Sequence, residues 1–269
     1  MTTPPSTSPR EIKAILCDVD GCLSPEAIGQ ASAGALAAIA KHNHWARTQH
    51  DRPLLTLCTG RPLPFADAIA RMVGALDLPI VCEAGAFLLD PTTYTWELDA
   101  TLTPDYLAAL AEMRVWIEQA FPAVYFEQGK VAALTLFHPD GPATLERDVM
   151  PRLRERVERE GLPFRVAMTW TCINVEPAGV SKATGIDRFM QRTGLATNQL
   201  AGIGDTMSDM AIRERVRFFA CPANAKPELK PHADYVSEFD EVFGVLDILE
   251  HMQGDPSLVT PQSTQRDES

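Results

Sequence analysis

The sequence predicts an α/β fold: a Rossmann-like parallel sheet core with helices on both faces, carrying an inserted α+β domain built on an antiparallel sheet. Three observations lead there. Short apolar runs alternate with helical stretches in the first and last thirds of the chain. The middle third changes rhythm to paired strands meeting at short turns. A length of 269 residues suits one core domain with a smaller one inserted into it.

Taken in order, residues 13–18 are a short apolar run closed by a carboxylate, followed by a helical stretch at 31–49 and a second apolar run at 54–58. A helix is expected over 62–76, with proline in its first turn, and a third strand over 79–82. The same rhythm resumes late in the chain, with a helix at 182–193, a strand at 200–203, a helix at 208–215, a strand at 218–220 and a helix at 241–252. Between them lie a strand at 95–98, a helix at 104–120 and two strands, 123–128 and 130–138, separated by Gly129. A helix at 143–160 and strands at 164–168 and 171–175 complete an antiparallel sheet expected to carry helices on one face. The resulting division is a core of 11–88 and 178–252, an inserted domain of 89–177, and tails of 1–10 and 253–269 rich in Pro, Ser, Thr and Gln without periodicity.

Composition narrows the classes of partner. The chain has 24 basic and 36 acidic residues, a net charge of −12, and no Lys/Arg run long enough to track a polyanion. Nucleic acid and anionic membrane surfaces are therefore not expected partners. The six cysteines form no CxxC pair and several sit beside apolar runs, which reads as reduced, buried thiols of a cytoplasmic protein. The opening residues show neither an apolar signal core nor an Arg-rich amphipathic pattern, and no apolar stretch approaches the roughly 18 residues that span a bilayer.

The polar residues that close the strand-like runs are the candidates for chemistry. The first run ends in Cys17-Asp18-Val19-Asp20-Gly21, the second in Thr59-Gly60-Arg61, and the strand near 200 in Gly204-Asp205-Thr206-Met207-Ser208-Asp209. Val180-Ser181-Lys182 puts an ammonium at a helix start. Ligands of open α/β sheets bind outside the carboxyl ends of the strands, where three of these clusters lie. Each alone is an ordinary turn or helix-cap sequence; all four in one chain are hard to produce by accident. Other constellations fail. His42 and His44 are spaced i, i+2 and point to different faces of their helix, so with His50 they read as a solvated face. The side of the middle helix bearing Leu110, Trp116 and Ile117 reads as hydrophobic core of the inserted domain.

Together the DVDG, TGR, GVSK and GDTMSD segments resemble the four motifs of the haloacid dehalogenase superfamily. Their order and spacing resemble its Cof-like and sucrose-phosphatase-like branch, in which a large α/β cap sits between the second and third motifs. The stretches 221–225 and 232–236 resemble that branch's ending, so the likeness covers roughly residues 12–250. Three positions depart from the pattern: Cys22 replaces a common Thr, Ser208 a common Asn, and Ala84 the Asn of an Asn-Gly-Ala segment. None removes a carboxylate.

The resemblance implies a Mg²⁺-dependent phosphatase acting on a small phosphorylated metabolite, a sugar phosphate or phosphorylated organic acid, through an aspartyl-phosphate. It makes Asp18 the nucleophile and Asp20 the general acid and base. Asp18, Asp20, Asp205 and Asp209 are then the metal set, and Thr59, Gly60, Arg61, Lys182 and Ser208 the phosphate- and substrate-binding set, with pairing to a core carboxylate the equal alternative for Arg61. A phosphosugar mutase would use the same Asp pair, and a non-catalytic module on this fold is the reading from another class.

Overall fold

The structure is a computed structural model that describes residues 12–26, 29–169 and 171–254. The tail expected at 1–10 lies outside the described residues, as does the tail expected at 253–269 from residue 255 onward; residues 253 and 254 are helical instead. The described residues of Met1–Cys58, Ile69–Pro79 and Met190–Ser269 form one compact unit, and those of Thr59–Ala68 and Ile80–Phe189 a second.

The first unit holds the parallel sheet. Strand β1 (Ala14–Cys17) is followed by helix α1 (Ala33–Gln49), which starts at Ser32, whose hydroxyl accepts from the Ala35 amide. Strand β2 (Leu54–Leu57) pairs parallel with β1. Helix α2 (Leu63–Met72) begins in the second unit and ends in the first.

The second unit holds two antiparallel sheets. In one, β3 (Ile80–Cys82), β4 (Phe87–Asp90) and β5 (Thr95–Leu98) pair in chain order. The run at 79–82 is thus a strand as expected, but it pairs antiparallel with β4 rather than continuing the parallel rhythm. The physical reason is the link: four residues between β3 and β4 allow a hairpin, whereas a parallel crossover needs a dozen or more. The other sheet has the order β6-β7-β9-β8. Helix α3 (Pro104–Ala120) is N-capped by Thr103 with proline in the first turn. Strands β6 (Tyr125–Phe126) and β7 (Leu134–Phe137) follow, both shorter than the sequence predicts, leaving Gln128 to Ala133 as a loop.

The helix expected at 143–160 is a composite of a helical turn, α4 (Pro142–Thr144), a π-helical stretch over Leu145–Val149 and α5 (Met150–Glu160), ended by the left-handed Gly161. Strands β8 (Phe164–Met168) and β9 (Ile173–Pro177) complete this sheet. Ile173, Val175 and Pro177 alternate inward along β9, the period-two signature of a sheet with one covered face. Tyr106, Leu110, Met113 and Ile117 of α3 and Leu153 of α5 are buried in this unit, and the Tyr106 ring meets Phe164 edge-on at 5.4 Å. Trp116 is only half-buried, flanked by the Arg152 and Arg156 guanidiniums, so it borders this core rather than filling it.

Helix α6 (Lys182–Thr193) returns the chain to the first unit, where β10 (Leu200–Ile203) precedes a short helix, α7 (Met210–Arg213), and β11 (Phe218–Cys221). The two-residue β12 (Tyr235–Val236), absent from the sequence reading, and α8 (Glu241–Gly254) complete the fold. The parallel sheet has the order β12-β11-β10-β1-β2. Strands β1, β10 and β11 are buried at every residue, as helices on both faces demand. His42 corrects the solvated-face expectation. It is buried, its Nε2 lies 2.9 Å from the Pro53 carbonyl, and burial pushes its pKa down to about 4, while His44 and His50 are exposed.

Candidate active site

The parallel register explains how two distant segments come together. Cys17 is paired with Ile203 on the neighbouring strand, so the residues after β1 and after β10 leave the sheet side by side at its carboxyl edge. The Asp18 amide continues the ladder by donating to the Ile203 carbonyl at 3.0 Å. Beyond it the chain turns sharply: the Val19 carbonyl accepts from the Leu23 and Ser24 amides, and the Gly21 amide donates to the Ser24 carbonyl at 2.7 Å. Gly21 has φ +72°, and a Cβ there would stand 2.0 Å from Asp205 Oδ2. Only glycine satisfies both the backbone and the approach of the second carboxylate.

Asp18, Asp205 and Asp209 are 7%, 1% and 0% exposed, and each offers a carboxylate oxygen within 4.8 Å of the others. Asp209 also organises its own loop, because its Oδ2 accepts from the Asp205 and Thr206 amides at 3.0 Å each. Asp20 is half-buried and stands outside this three-carboxylate cluster; its backbone pairs with that of Ser24 in the turn. Ser208 is exposed, its hydroxyl 2.9 Å from that of Thr206. Cys22 is fully buried, and burial first, then the Cys17 thiol, raises its pKa well above the ordinary thiol value, so it stays a neutral SH. Asn224 holds the turn from below, its Nδ2 donating to the Gly21 carbonyl at 2.9 Å while its Oδ1 accepts from the Glu241 amide at 2.6 Å.

Three buried carboxylates this close form a hard, all-oxygen donor set of the kind Mg²⁺ takes. The Gly21 approach brings Asp205 into that set at the cost of a position closed to any side chain. The residues present therefore fit the expected ion.

The other candidates lie in the second unit. Thr59 is fully buried; its amide donates to the Val81 carbonyl and its hydroxyl accepts from the Arg61 amide at 3.0 Å, closing a tight turn around the half-buried Gly60. Arg61 pairs with Glu127 at 2.8 Å and lies 4.9 Å over the Phe65 ring. Lys182, 7% exposed, is the first residue of α6. Sequence reasoning missed Glu83, Lys130 and Glu127. Lys130 reads in sequence as one more surface lysine, yet its side chain is only 9% exposed, with Nζ 3.1 Å from Glu127 Oε2 and 2.6 Å from the Thr135 hydroxyl. The signal for Glu83 was at hand, since it precedes the Ala84-Gly85-Ala86 departure.

Comparison with known proteins agrees with these features. Residues 142–249 match the family described as haloacid dehalogenase-like hydrolase. A phosphoglycolate phosphatase of Methanothrix thermoacetophila is 34% identical over 97 residues, 36% of this chain and 44% of that protein. One from Methanosarcina acetivorans is 24% identical over 249 residues, 90% of this chain and 97% of that protein. Among solved structures, a haloacid dehalogenase-like hydrolase from Bacteroides thetaiotaomicron superposes with a TM-score of 0.70 at 18% identity, covering 90% of this chain and 99% of that one. The sucrose-phosphatase of Synechocystis, solved with sucrose and phosphate, gives 0.63 at 18% identity, covering 90% and 98%. Over residues 142–249 the chain is similar to the haloacid dehalogenase-like hydrolases, and the solved neighbours share its fold along most of its length. With relatives named as phosphatases aligned along most of its length, the chain is an enzyme of the phosphoric monoester hydrolase class.

Proposed function

We propose that this enzyme hydrolyses a small phosphorylated metabolite, a sugar phosphate or a phosphorylated organic acid, by way of an aspartyl-phosphate on Asp18. The observation that carries the reading is the gathering of Asp18, Asp205 and Asp209 at the carboxyl edge of the parallel sheet. Phosphoglycolate phosphatases among the relatives and a sucrose-phosphatase among the structural neighbours support the substrate class. The buried, free cysteines fit a reducing, cytoplasmic setting, and no helix among the described residues is long and apolar enough to cross a membrane.

An uncatalysed phosphate dianion repels its nucleophile, so catalysis here is positioning and charge stabilisation. Asp18 attacks phosphorus as the bond to the leaving oxygen breaks, and Asp20 gives that oxygen its proton. Asp20 then takes a proton from water, whose oxygen attacks the acyl phosphate, releasing inorganic phosphate and restoring the Asp18 carboxylate. Asp18, the Asp20 carbonyl, Asp205 and Asp209 would hold a Mg²⁺ ion, which supplies the positive charge that lets a dianion come near clustered carboxylates. Thr59, the Gly60 amide and Lys182 hold the transferring oxygens, with Arg61 and Ser208 contributing to substrate contacts. These five assignments rest on the motif positions of the residues.

The test is Asp18→Asn, which keeps side-chain volume and removes the attacking oxyanion. Turnover of an aryl phosphate and of every hit in a Mg²⁺ screen of phosphorylated metabolites should vanish, and chelation of the wild type should do the same until Mg²⁺ is returned. A variant within about tenfold of wild type would exclude the covalent route, since a nucleophile contributes far more than a factor of ten.

A further inference from the structure

The turn between β3 and β4 carries more backbone strain than its length requires. Glu83, Ala84 and Gly85 are consecutive left-handed residues, with φ of 44°, 51° and 99°. Non-glycine residues in this region cost on the order of 1–3 kcal/mol each and persist only where the surroundings over-determine them. Three sets of contacts within the second unit do so. The Glu83 amide donates to the Arg61 carbonyl and the Ala84 amide to the Thr59 carbonyl, both at 3.0 Å, which fixes the Thr59–Arg61 turn. Gly85 lies against the start of α6, where a Cβ would stand 2.0 Å from the Ser181 carbonyl oxygen, one residue before Lys182. The Glu83 carboxylate, 4% exposed, reaches the loop after β6, Oε2 accepting from the Ala132 amide at 2.9 Å and both oxygens from the Val131 amide at 3.1 Å.

That loop presents Lys130. Its ammonium uses two of three donors on Thr135 and Glu127, and the Thr135 hydroxyl passes the chain on to Asn174 Oδ1 at 2.6 Å. Lys130, Gly60, Glu83 and Glu176 line one small cavity. The Gly60 amide belongs to the proposed phosphate-holding set, so an ammonium in the same cavity is placed for the part of the substrate attached to the phosphate.

We propose that Glu83 is a positioning residue: it fixes the 130–132 loop to the Thr59–Arg61 turn and the start of α6, so that Lys130 binds an oxygen of the substrate's leaving group. The proposal rests on the phosphatase reading and adds how that site selects its substrate. A leaving group carrying a carboxylate or hydroxyl oxygen near the phosphate fits; a plain aryl group does not engage Lys130. Glu83 sits among Lys130, Glu127, Glu176 and Tyr106, so the test relies on binding rather than on pH.

Glu83→Gln, Lys130→Met and the double variant are compared on the best substrate of the metabolite screen and on an aryl phosphate, with amide hydrogen exchange followed at Val131 and Ala132. Each single variant should raise KM for the metabolite by about tenfold to a hundredfold, the loss of one charge-assisted hydrogen bond, with a smaller change in kcat. Glu83→Gln should also speed exchange at the two amides, and its KM effect should disappear in the Lys130→Met background. KM unchanged in either single variant, or additive effects in the double, would overturn the positioning role while leaving wild-type activity intact. A wild type without Mg²⁺-dependent turnover would instead overturn the phosphatase reading itself. Should Glu83→Gln fail to fold, Lys130→Met on the otherwise native chain still decides whether that ammonium selects the leaving group.

Discussion

At the carboxyl edge of the parallel sheet, Asp18, Asp205 and Asp209 crowd within 4.8 Å; in the second unit Glu83, equally buried, meets two backbone amides and shares its cavity with Lys130. Two ionised carboxylates at such a distance repel by on the order of 3 kcal/mol at an effective dielectric of about 20. A cation held among the three carboxylates would relieve that repulsion. Around Glu83 the loss of water outweighs the amides and Lys130, so its pKa rises above the ordinary carboxylate value. The contrast separates an acid kept for chemistry, at a cost to stability, from an acid kept for architecture.

Breaking the first half of that comparison should give the largest effect. Asp205→Asn removes one negative charge from the cluster without changing volume. Mg²⁺-dependent turnover is expected to fall by about a thousandfold or more, while metal-free stability, read from urea midpoints in chelator, should rise by about 1 kcal/mol as repulsion is relieved. An inactive variant that is also less stable in chelator would show that the cluster supports the fold, and the contrast with Glu83 would collapse.

A smaller but sharper effect comes from Gly21→Ala. Its Cβ would stand 2.0 Å from Asp205 Oδ2 on a backbone with φ +72°, so Asp205 must withdraw from the cluster or the turn must open. A destabilisation of about 2 kcal/mol is expected, together with weaker Mg²⁺ binding measured by calorimetry on the folded variant. The same change at Gly161, which is also left-handed but has nothing within 4 Å of the added atom, should cost about 1 kcal/mol and leave Mg²⁺ affinity alone.

The sequence made the cluster legible because strand ends announce themselves: apolar runs stop abruptly at Asp18 and Gly204, and the parallel register then dictates that these ends adjoin. Helices 104–120 and 182–193 and the strands at 164–168 and 200–203 were equally legible, since their caps, prolines and apolar periods agree. What stayed hidden depends on contacts distant in sequence. Nothing local marks Lys130 as buried, because its partner Thr135 and that residue's partner Asn174 meet only through strand pairing. The β3–β4 hairpin was missed because Glu83 and Ala84 lack the glycine or asparagine that usually advertises left-handed backbone. His42 was misread for the same reason, its burial being set by Pro53 and by Gln253, 211 residues away.

His42 supplies the last and smallest test, because it lies in the same unit as the acid cluster and yet follows the logic of Glu83. Its neutral form satisfies both ring nitrogens: Nε2–H donates to the Pro53 carbonyl at 2.9 Å and Nδ1 accepts from Gln253 at 3.3 Å. Protonation would turn Nδ1 into a donor facing another donor in a site already short of water. Burial is the main cause that brings the folded pKa from 6.5 to about 4, opposed by the Pro53 bond and assisted by Arg52. A base with a depressed folded pKa contributes full stability above its unfolded pKa. That contribution is lost as pH falls from 6.5 towards 4, because the unfolded chain takes up the proton first. At pH 5 the loss from this one residue should be about 2 kcal/mol relative to pH 7.5. Urea unfolding of wild type and His42→Gln at both pH values isolates it: the variant is expected to be less stable at pH 7.5 and to close most of the gap at pH 5. A gap that stays constant would mean that burial does not hold His42 neutral, and the claim that this interior disfavours any charge without a counter-ion would lose its independent support.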